Sequence, residues 1–282
     1  MERETSPYIS ISAVTDPNHI DPLLEQFNAQ PLGDFGHEPV VSYLTHNGTP
    51  DGQPHPHPKF RPRTVDSIAH VVDLIHRVGD RAVNVLHIDC VDYEKSGNTL
   101  DAMHASEGHV LHYHPIAPVL PKTLAIPYAD KTCRTVQING HVTVEDLDAL
   151  FQVMPELRVI MAIGPNIMQR GTQGMLEYIG ERRQYMKEIL LDASVGRGTV
   201  VRPGEVGEHI KTIAREFPGL GQGVAGGIAP ETVGPIVTET RAVSGVDEIS
   251  VDAESALRDD MNNLALPKTG LYIPNAAGGY RK

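Results

Sequence analysis

The residue types best suited to acid–base chemistry stand where apolar runs end. Asp192 closes the run ILLD, which is predicted to be a strand. A carboxyl group buried at a strand end is desolvated, which favours its protonated form and suits a general acid. An aspartate that caps the following turn is the alternative interpretation. Asp192 is therefore a candidate catalytic acid.

A histidine and an aspartate lie at the end of another apolar run, VLHID. His87 and Asp89 are two residues apart, so on a strand both side chains point the same way. The pair can ligate a divalent metal, and His112, His114 or His141 could complete such a site. Because the chain has 14 histidines, chance pairs are also expected. His87 is in addition a candidate base, since an imidazole titrates near neutrality.

Two adjacent glycines, Gly226 and Gly227, lie in the stretch GVAGGIAPETV between an apolar run and a helix start. Glycine adopts positive φ and lets a ligand approach the backbone closely. One interpretation is a tight strand-to-helix turn. The other is a backbone nest that binds an anion at the start of the helix.

Eight apolar, β-branched runs would position these residues. Continuous apolar strands that alternate with helices indicate a parallel sheet covered on both faces. Eight such units in 282 residues predict an α/β fold, a closed (β/α)₈ TIM barrel with long βα loops at the C-terminal rim. A doubly wound open sheet is the alternative. The predicted strands are Tyr8–Val14, Pro39–Leu44, Ala82–Ile88, Thr135–Ile138, Arg158–Ile163, Lys187–Leu191, Leu220–Ala225 and Asp247–Val251. The predicted helices include Val65–Val78, Val144–Val153, Gly174–Tyr185, Pro203–Glu216 and Pro230–Glu239.

Three segments break this alternation within one predicted domain, residues 1–282. The proline-rich segment Asn47–Pro62, with its PHPHP run, predicts an extended loop. Residues 89–133 are long for a βα connection and predict an inserted loop, either a lid over the site or a surface excursion. Residues 269–282 are rich in glycine and alanine and predict a loose C-terminal tail.

Composition narrows the expected partners and location. The formal net charge is −12 and the pI about 5.6, so neither nucleic acid nor an anionic membrane is an expected partner. Cys90 and Cys133 form no CxxC pair, which argues against a disulfide framework and a cysteine zinc site. The N-terminus lacks a signal-peptide profile, and no apolar run approaches the roughly 18 residues of a spanning helix. A cytoplasmic location is expected.

Six stretches, taken in order, resemble motifs of the phosphoribosylanthranilate isomerase family, one of the ribulose-phosphate-binding barrels. Each motif is weak by itself, and their shared order over most of the chain carries the resemblance. The six are SISAVTDP against KICGIT, RPRTV against SPR-x-V, VQINGH against VQLHG, ILLDASVGRGT against LLD and GGTGK, VAGGIAPETV against LAGGLNPENV, and ISVDAESALRD against DVSSGVE with its trailing KD. The chain resembles a divergent member, because two functional positions depart from the pattern.

The resemblance implies a site for an Amadori rearrangement, which converts a phosphorylated aminoaldose into an aminoketose. Asp192 matches the family's general acid, and Arg63 matches an arginine that contacts the substrate. Ser12 stands where the family has a catalytic cysteine. A serine hydroxyl needs a neighbouring base to replace a thiolate. His87 is the candidate for that base.

The resemblance also implies phosphate binding by backbone groups. Gly226 and Gly227 match the loop after the seventh strand. The loop after the sixth strand is matched by Gly196, Arg197 and Gly198. Asp252 replaces a small residue of the family's eighth strand, and a carboxylate about 4 Å from a phosphate is unfavourable unless a cation intervenes. Asp252 therefore indicates an altered substrate site.

Together these features favour an enzyme, an aldose–ketose isomerase that acts on a phosphorylated sugar and needs no cofactor. Two alternatives stay open. One is a metal-assisted epimerase, aldolase or hydrolase that uses His87 and Asp89, and the other is a non-catalytic ligand-binding barrel. The expected partner is a small, phosphorylated molecule, and assembly as a homo-oligomer is an option.

Overall fold

The computed structural model describes residues 6–90, 115–140, 142–192 and 201–281. Within these ranges eight parallel strands close into one barrel in chain order. The predicted (β/α)₈ fold is confirmed, and each predicted strand overlaps an observed one. The strands are β1 (Tyr8–Ile11), β2 (Glu38–His46), β3 (Val83–Asp89), β4 (Thr135–Asn139), β5 (Arg158–Ile163), β6 (Met186–Asp192), β7 (Gly221–Ala225) and β8 (Ile249–Ala253).

Helices connect the strands and cover the barrel. Two predicted helices, Val144–Val153 and Pro203–Glu216, have the predicted bounds, and the other three are shifted by a few residues. The helices in the described part of the chain are α1 (Ile20–Asn28), α2 (Ile68–Val78), α3 (Leu120–Ala129), α4 (Val144–Val153), α5 (Pro165–Met168), α6 (Gly171–Arg182), α7 (Pro203–Glu216), α8 (Val233–Ser244) and α9 (Leu266–Tyr280).

Helix α2 shows how local chemistry sets a boundary that periodicity alone misses. The apolar pattern predicts a start at Val65, but the helix begins at Ile68. Ser67 has extended backbone, and its side chain accepts a hydrogen bond from the His70 N–H. Such a cap satisfies one of the free N–H groups of the first turn. Gly79, at φ 58°, ends the helix after Val78.

Alternate residues of the strands divide between two apolar regions. The outward-facing set packs against the helices in one large core, which includes Leu86, Val251 and Ala253. The inward-facing set forms a smaller layer inside the barrel, which consists of Tyr8, Val40, Val85, Ile160, Leu190 and Ala225. Side chains alternate along a strand, so residues two or four positions after a member of this layer also face the bore, at the C-terminal end of the barrel.

The predicted loose tail, residues 269–282, is wrong. Helix α9 spans Leu266–Tyr280, Tyr272 is fully buried, and the Tyr280 hydroxyl donates a 2.6 Å hydrogen bond to the Ile249 carbonyl. The small residues permit close packing against α8, since a Cβ at Gly279 would lie 2.9 Å from the Gly234 carbonyl oxygen. Glycine and alanine therefore act here as contact residues of two helices rather than as signs of disorder.

The two long loop predictions are only partly accurate. Within the predicted insertion 89–133, residues 91–114 lie outside the described ranges, and Leu120–Ala129 forms α3. The segment Asn47–Pro62 contains two short 3-10 turns, Thr49–Asp51 and Pro58–Arg63, rather than only extended chain. Both cysteines are buried free thiols. Among the described residues, no helix has the length and apolarity needed to span a membrane.

Candidate active site at the C-terminal mouth of the barrel

Strand alternation brings four predicted site residues to the same end of the bore. Leu190 and Val85 belong to the inward layer, so Asp192 and His87, two residues further along β6 and β3, also face inward. On β8, Val251 and Ala253 belong to the outer core, so Asp252 faces the bore. Ser12 follows β1 directly and is fully buried.

Ser12 and Asp252, the two positions that depart from the family pattern, are in direct contact. Ser12 Oγ donates a hydrogen bond to Asp252 Oδ1 at 2.6 Å. Ser12 is 0% exposed and Asp252 is 5% exposed. A short O–H···O⁻ bond of this kind is charge-assisted and is stronger than a bond between neutral groups. The hydroxyl therefore has an anionic neighbour that sequence reasoning did not identify.

Asp192 lies across a small residue from Asp252. Asp192 of β6 pairs with Ala225 of β7. Val224 of β7 pairs with Val251 of β8, so the residues that follow them, Ala225 and Asp252, lie beside each other. Two interstrand spacings separate the backbones of the two aspartates, about 10 Å. The residue between them, Ala225, contributes only a methyl group. Two carboxylates on strands this far apart can act on opposite sides of a small substrate.

His87 lies in the mouth of the barrel and is almost fully buried. It is 3% exposed, and neither ring nitrogen has a partner among the described residues. Asp89 is engaged instead by His55, whose Nε2 lies 3.3 Å from Asp89 Oδ2. No group of three potential metal ligands occurs within the described ranges, and His112, His114 and His141 lie outside them. A metal site at His87 and Asp89 stays a prediction.

The end of β2 and the PHPHP run at residues 54–58 each contribute one histidine to a buried pair that the sequence pattern did not assign to the site. The rings of His46 and His55 are 5.0 Å apart, edge to face. His46 Nδ1 accepts a hydrogen bond from the Gly48 N–H, which leaves Nε2 to donate to the Gln53 carbonyl at 2.9 Å. Burial and the nearby His55 lower the pKa of His46 to about 4. The imidazole of His46 is therefore neutral at pH 7 and fixed in one tautomer.

Arg63, the predicted substrate contact, is held by the segment that follows β8. Its Nη1 donates to Glu254 Oε1 at 2.9 Å and to Ser255 Oγ at 3.1 Å, and its Nε donates to Asn262 Oδ1 at 2.6 Å. Arg63 is 5% exposed. Burial opposes ionisation of Glu254, but Arg63, Arg258 and His87 together lower the pKa of its carboxyl below the usual range. Substrate contact by Arg63 stays a prediction.

Arg258 fixes the two residues that follow β1. Its Nη2 donates to the Ser12 carbonyl at 2.6 Å and to the Ala13 carbonyl at 2.8 Å. Ala13 has φ 61°, a conformation that is unfavourable for a residue with a side chain and therefore needs support from its surroundings. Arg258 was not a predicted site residue. The only sequence signal for it was its place in the trailing RD dipeptide of the last motif.

The paired glycines adopt the conformation that explains their presence. Gly226 has φ 103° and Gly227 has φ 58°, and both angles favour glycine. The Gly226 carbonyl accepts a 3.2 Å hydrogen bond from the Val201 N–H, which joins the loops after β6 and β7. Anion binding by this turn stays a prediction. The other predicted phosphate residues, Gly196, Arg197 and Gly198, lie outside the described residues.

Comparison with known proteins supports the fold alone. No family model matches the chain, and no curated protein matches it either. Type I 3-dehydroquinate dehydratase from Clostridium difficile is 8% identical over 96% of this chain and 92% of its own, with a TM-score of 0.54. The tryptophan synthase alpha chain from Legionella pneumophila is 13% identical over 98% and 92%, with a TM-score of 0.51. Identities this low carry no information about substrate.

Proposed function

We propose that this chain is an acid–base isomerase that acts on a small phosphorylated aldose derivative at the C-terminal mouth of the barrel. The observation that supports it best is the 2.6 Å hydrogen bond from Ser12 Oγ to Asp252 Oδ1. The family-like site lacks its cysteine base, and this bond places a carboxylate directly beside the substituted position. Asp252 supplies the basic group that Ser12 alone does not have.

In the proposed reaction, Asp192 donates a proton to the ring oxygen of the aminoaldose. The C1–O bond breaks as the nitrogen lone pair forms a C1=N bond. The Asp252 carboxylate then removes the C2 proton, and the C–H electrons form C1=C2 as the C1=N pair returns to nitrogen. The resulting enol becomes the ketone as its hydroxyl proton is lost and C1 gains a proton. Ser12 holds Asp252 in place, and His87 is the second candidate for the base.

Phosphate, in this proposal, is bound by the loops after β6 and β7. Asp252 places a carboxylate at the end of β8, which is unfavourable for a phosphate bound there. Gly226 and Gly227 have the positive φ angles that a concave backbone nest requires. Remote phosphate binding would position the reacting carbon between the two aspartates.

Turnover of phosphoribosylanthranilate, followed by the loss of its fluorescence at high enzyme concentration, tests the proposal. Asp192→Asn and Asp252→Asn should each lower the rate about 10²–10⁴-fold, the usual contribution of an acid or a base. Asp260→Asn, at an exposed aspartate, is the matched control and should leave the rate unchanged. Wild-type turnover no faster than that of Asp192→Asn would exclude this substrate and favour the non-catalytic alternative.

The metal-assisted alternative makes a different prediction. Binding of a divalent cation by His87 and Asp89 would leave metal in the purified protein and make turnover sensitive to a chelator. A metal-free preparation with full turnover would exclude it. The small-molecule partner, the cytoplasmic location and a homo-oligomer stay predictions.

A further inference from the structure

Helices α8 and α9 border an open groove on the outer surface of the barrel. The groove has a volume of about 750 Å³. Its walls consist mainly of small or uncharged residues, among them Gly234, Pro235, Thr238, Ala242, Asn275 and Gly278. Leu271 lies one turn before Asn275 on the same side of α9 and is 57% exposed. Together these residues form an exposed, largely uncharged surface, the α8–α9 face.

Gly278 is a residue of this face that the fold of one chain does not explain. It is exposed within α9, and no atom lies within 4 Å of the position that its Cβ would take. Alanine would fit there and is more favourable in a helix than glycine. The neighbouring Gly279 is different, because its Cβ would lie 2.9 Å from the Gly234 carbonyl oxygen. Close approach of a second molecule to the backbone gives Gly278 a reason that the single chain lacks.

The two helices lie side by side and run in the same direction. Asn275 Nδ2 donates to the Pro230 carbonyl, just before α8, at 2.8 Å. Arg241 Nη1, near the end of α8, donates to the Gly279 carbonyl, near the end of α9, at 3.1 Å. Residues at the start of α8 are therefore level with Asn275, and residues of its last turns are level with the end of α9.

The charged residues that line the groove lie on both sides of it. Glu231 and Glu239 line the α8 side, and Arg281 lines the α9 side. By the contacts above, Glu239 is level with Arg281, and Glu231 is level with Asn275. Within the described ranges none of these three charged residues forms an ion pair with another part of the chain. The face therefore carries opposite charges on opposite sides, which makes it complementary to a second copy of itself.

We propose that the α8–α9 face joins two copies of this chain in a homodimer whose two-fold axis runs along the groove. In that arrangement α8 of each copy packs on α9 of the other. Glu239 then faces Arg281 of the second copy, and Glu231 faces the amide of Asn275 of the second copy. An axis across the helices would instead pack α8 on α8 and bring Glu231 to Glu239 of the second copy. Like charges that face each other are unfavourable, so charge selects the first arrangement.

The size of the face sets the expected affinity. Helix α8 has 12 residues and α9 has 15, so they are about 18 and 22 Å long. Two adjacent helices are about 20 Å wide, since their axes lie about 8–10 Å apart. A face of this size is at the low end for stable complexes, which bury about 800 Å² on each partner. The dimer should therefore be weak, with a dissociation constant in the micromolar range, about 1–100 μM.

Sedimentation velocity from about 1 to 200 μM, at neutral pH and physiological salt, measures the monomer–dimer equilibrium. Glu239→Arg and Arg281→Glu each place like charges in both symmetric contacts, so each should weaken the dimer about tenfold or more. The double charge swap, Glu239→Arg with Arg281→Glu, pairs opposite charges again and should recover most of that loss. The control, Glu177→Arg on the exposed side of α6, should leave the equilibrium unchanged.

Two further variants test the apolar part of the face. Gly278→Gln has room in the single chain but fills the groove, so it should weaken the dimer about tenfold or more. Leu271→Asp introduces a charge into the contact and should do the same. Val153→Asp, at an apolar residue of α4 that is 60% exposed, is the matched control. Circular dichroism checks that each variant is folded, as expected for substitutions at exposed positions.

A dimer that both charge reversals weaken and the double swap recovers supports the proposal. A protein that stays monomeric over the whole concentration range overturns it. A dimer that all the variants keep also overturns it, because another surface then joins the copies. A dimer that responds to Gly278→Gln but not to the charge reversals overturns the proposed axis. Turnover plays no part in this measurement, so the homodimer and the isomerase can each fail without the other.

Discussion

The bond between Ser12 and Asp252 is the contact on which the proposed chemistry depends, and a double-mutant cycle measures it. Both side chains are almost fully buried, and their oxygens are 2.6 Å apart. Hydrogen bonds to a charged group contribute about 1.5–3 kcal/mol to stability. We therefore expect Ser12→Ala and Asp252→Ala to show a coupling free energy of about 1.5–3 kcal/mol in the cycle.

Urea unfolding at pH 7, followed by circular dichroism, gives the free energy of unfolding of the wild type, both single variants and the double variant. Asp252→Asn serves as the conservative companion because its amide oxygen still accepts the Ser12 hydroxyl. It should lose less stability than Asp252→Ala, which leaves that hydroxyl buried without an acceptor at a cost of about 1–3 kcal/mol. Ser250→Ala, two residues earlier on the same face of β8, removes a different hydrogen bond between β1 and β8, the one from the Tyr8 N–H, and is the control for a general loss of contact between these strands.

A coupling free energy below about 0.5 kcal/mol, the level expected of independent sites, would refute the argument from structure. Catalysis is tested separately with the same proteins. Asp252→Asn keeps the hydrogen bond but lacks the basic carboxylate, so it should fold and lose turnover. Wild-type turnover in Asp252→Asn would remove Asp252 as the base and leave His87 in that role.

Three further predictions concern the fold around the site. Gly227→Ala should destabilise the protein by about 1–2 kcal/mol in urea, because φ 58° is unfavourable for a residue with a Cβ, and an unchanged midpoint would contradict that backbone conformation. Tyr272→Ala should cost about 3–5 kcal/mol, as expected for a fully buried aromatic ring, whereas a loose tail would lose nothing measurable. The folded-state pKa of His46 is about 4 against an ordinary 6.5, so the unfolded chain binds the extra proton and stability should fall as the pH drops from 6.5 towards 4. His46→Gln should flatten this decline in unfolding free energy, and an equal decline in both proteins would exclude His46 as its cause.

Local pattern predicted the architecture well because the information for it is local. Runs such as Arg158–Ile163 are apolar on both faces, which is the signature of a strand covered on both sides, and the structure has a strand with those bounds. The apolar stripe of α2 follows from the helical period alone. The glycines at 226 and 227 follow from the positive φ angles of their own backbone. Both features depend only on neighbouring residues. Strand alternation likewise predicts that His87 and Asp89 share one face of a strand, and both residues lie on β3.

The local pattern failed to predict the C-terminal helix because that segment is rich in small residues. Glycine and alanine in a terminal segment are compatible with a loose chain and with a tightly packed helix pair, and only the partner decides between them. Helix α8 supplies that partner, and the close approach at Gly279 makes α9 part of the barrel's outer layer. The same sequence without α8 would give no reason to expect a helix of 15 residues there.

The sequence by itself determined the barrel and the approximate positions of its eight strands, whose ends shifted by up to three residues in the structure. Only the tertiary structure decided which side chains meet at the mouth of the barrel. Ser12 and Asp252 are 240 positions apart in sequence, and closure of the barrel between β1 and β8 brings them into contact. Arg258 is likewise joined to Ser12 across 246 positions. Hydrogen bonds act over about 3 Å, and periodicity carries no information about pairs so far apart along the chain.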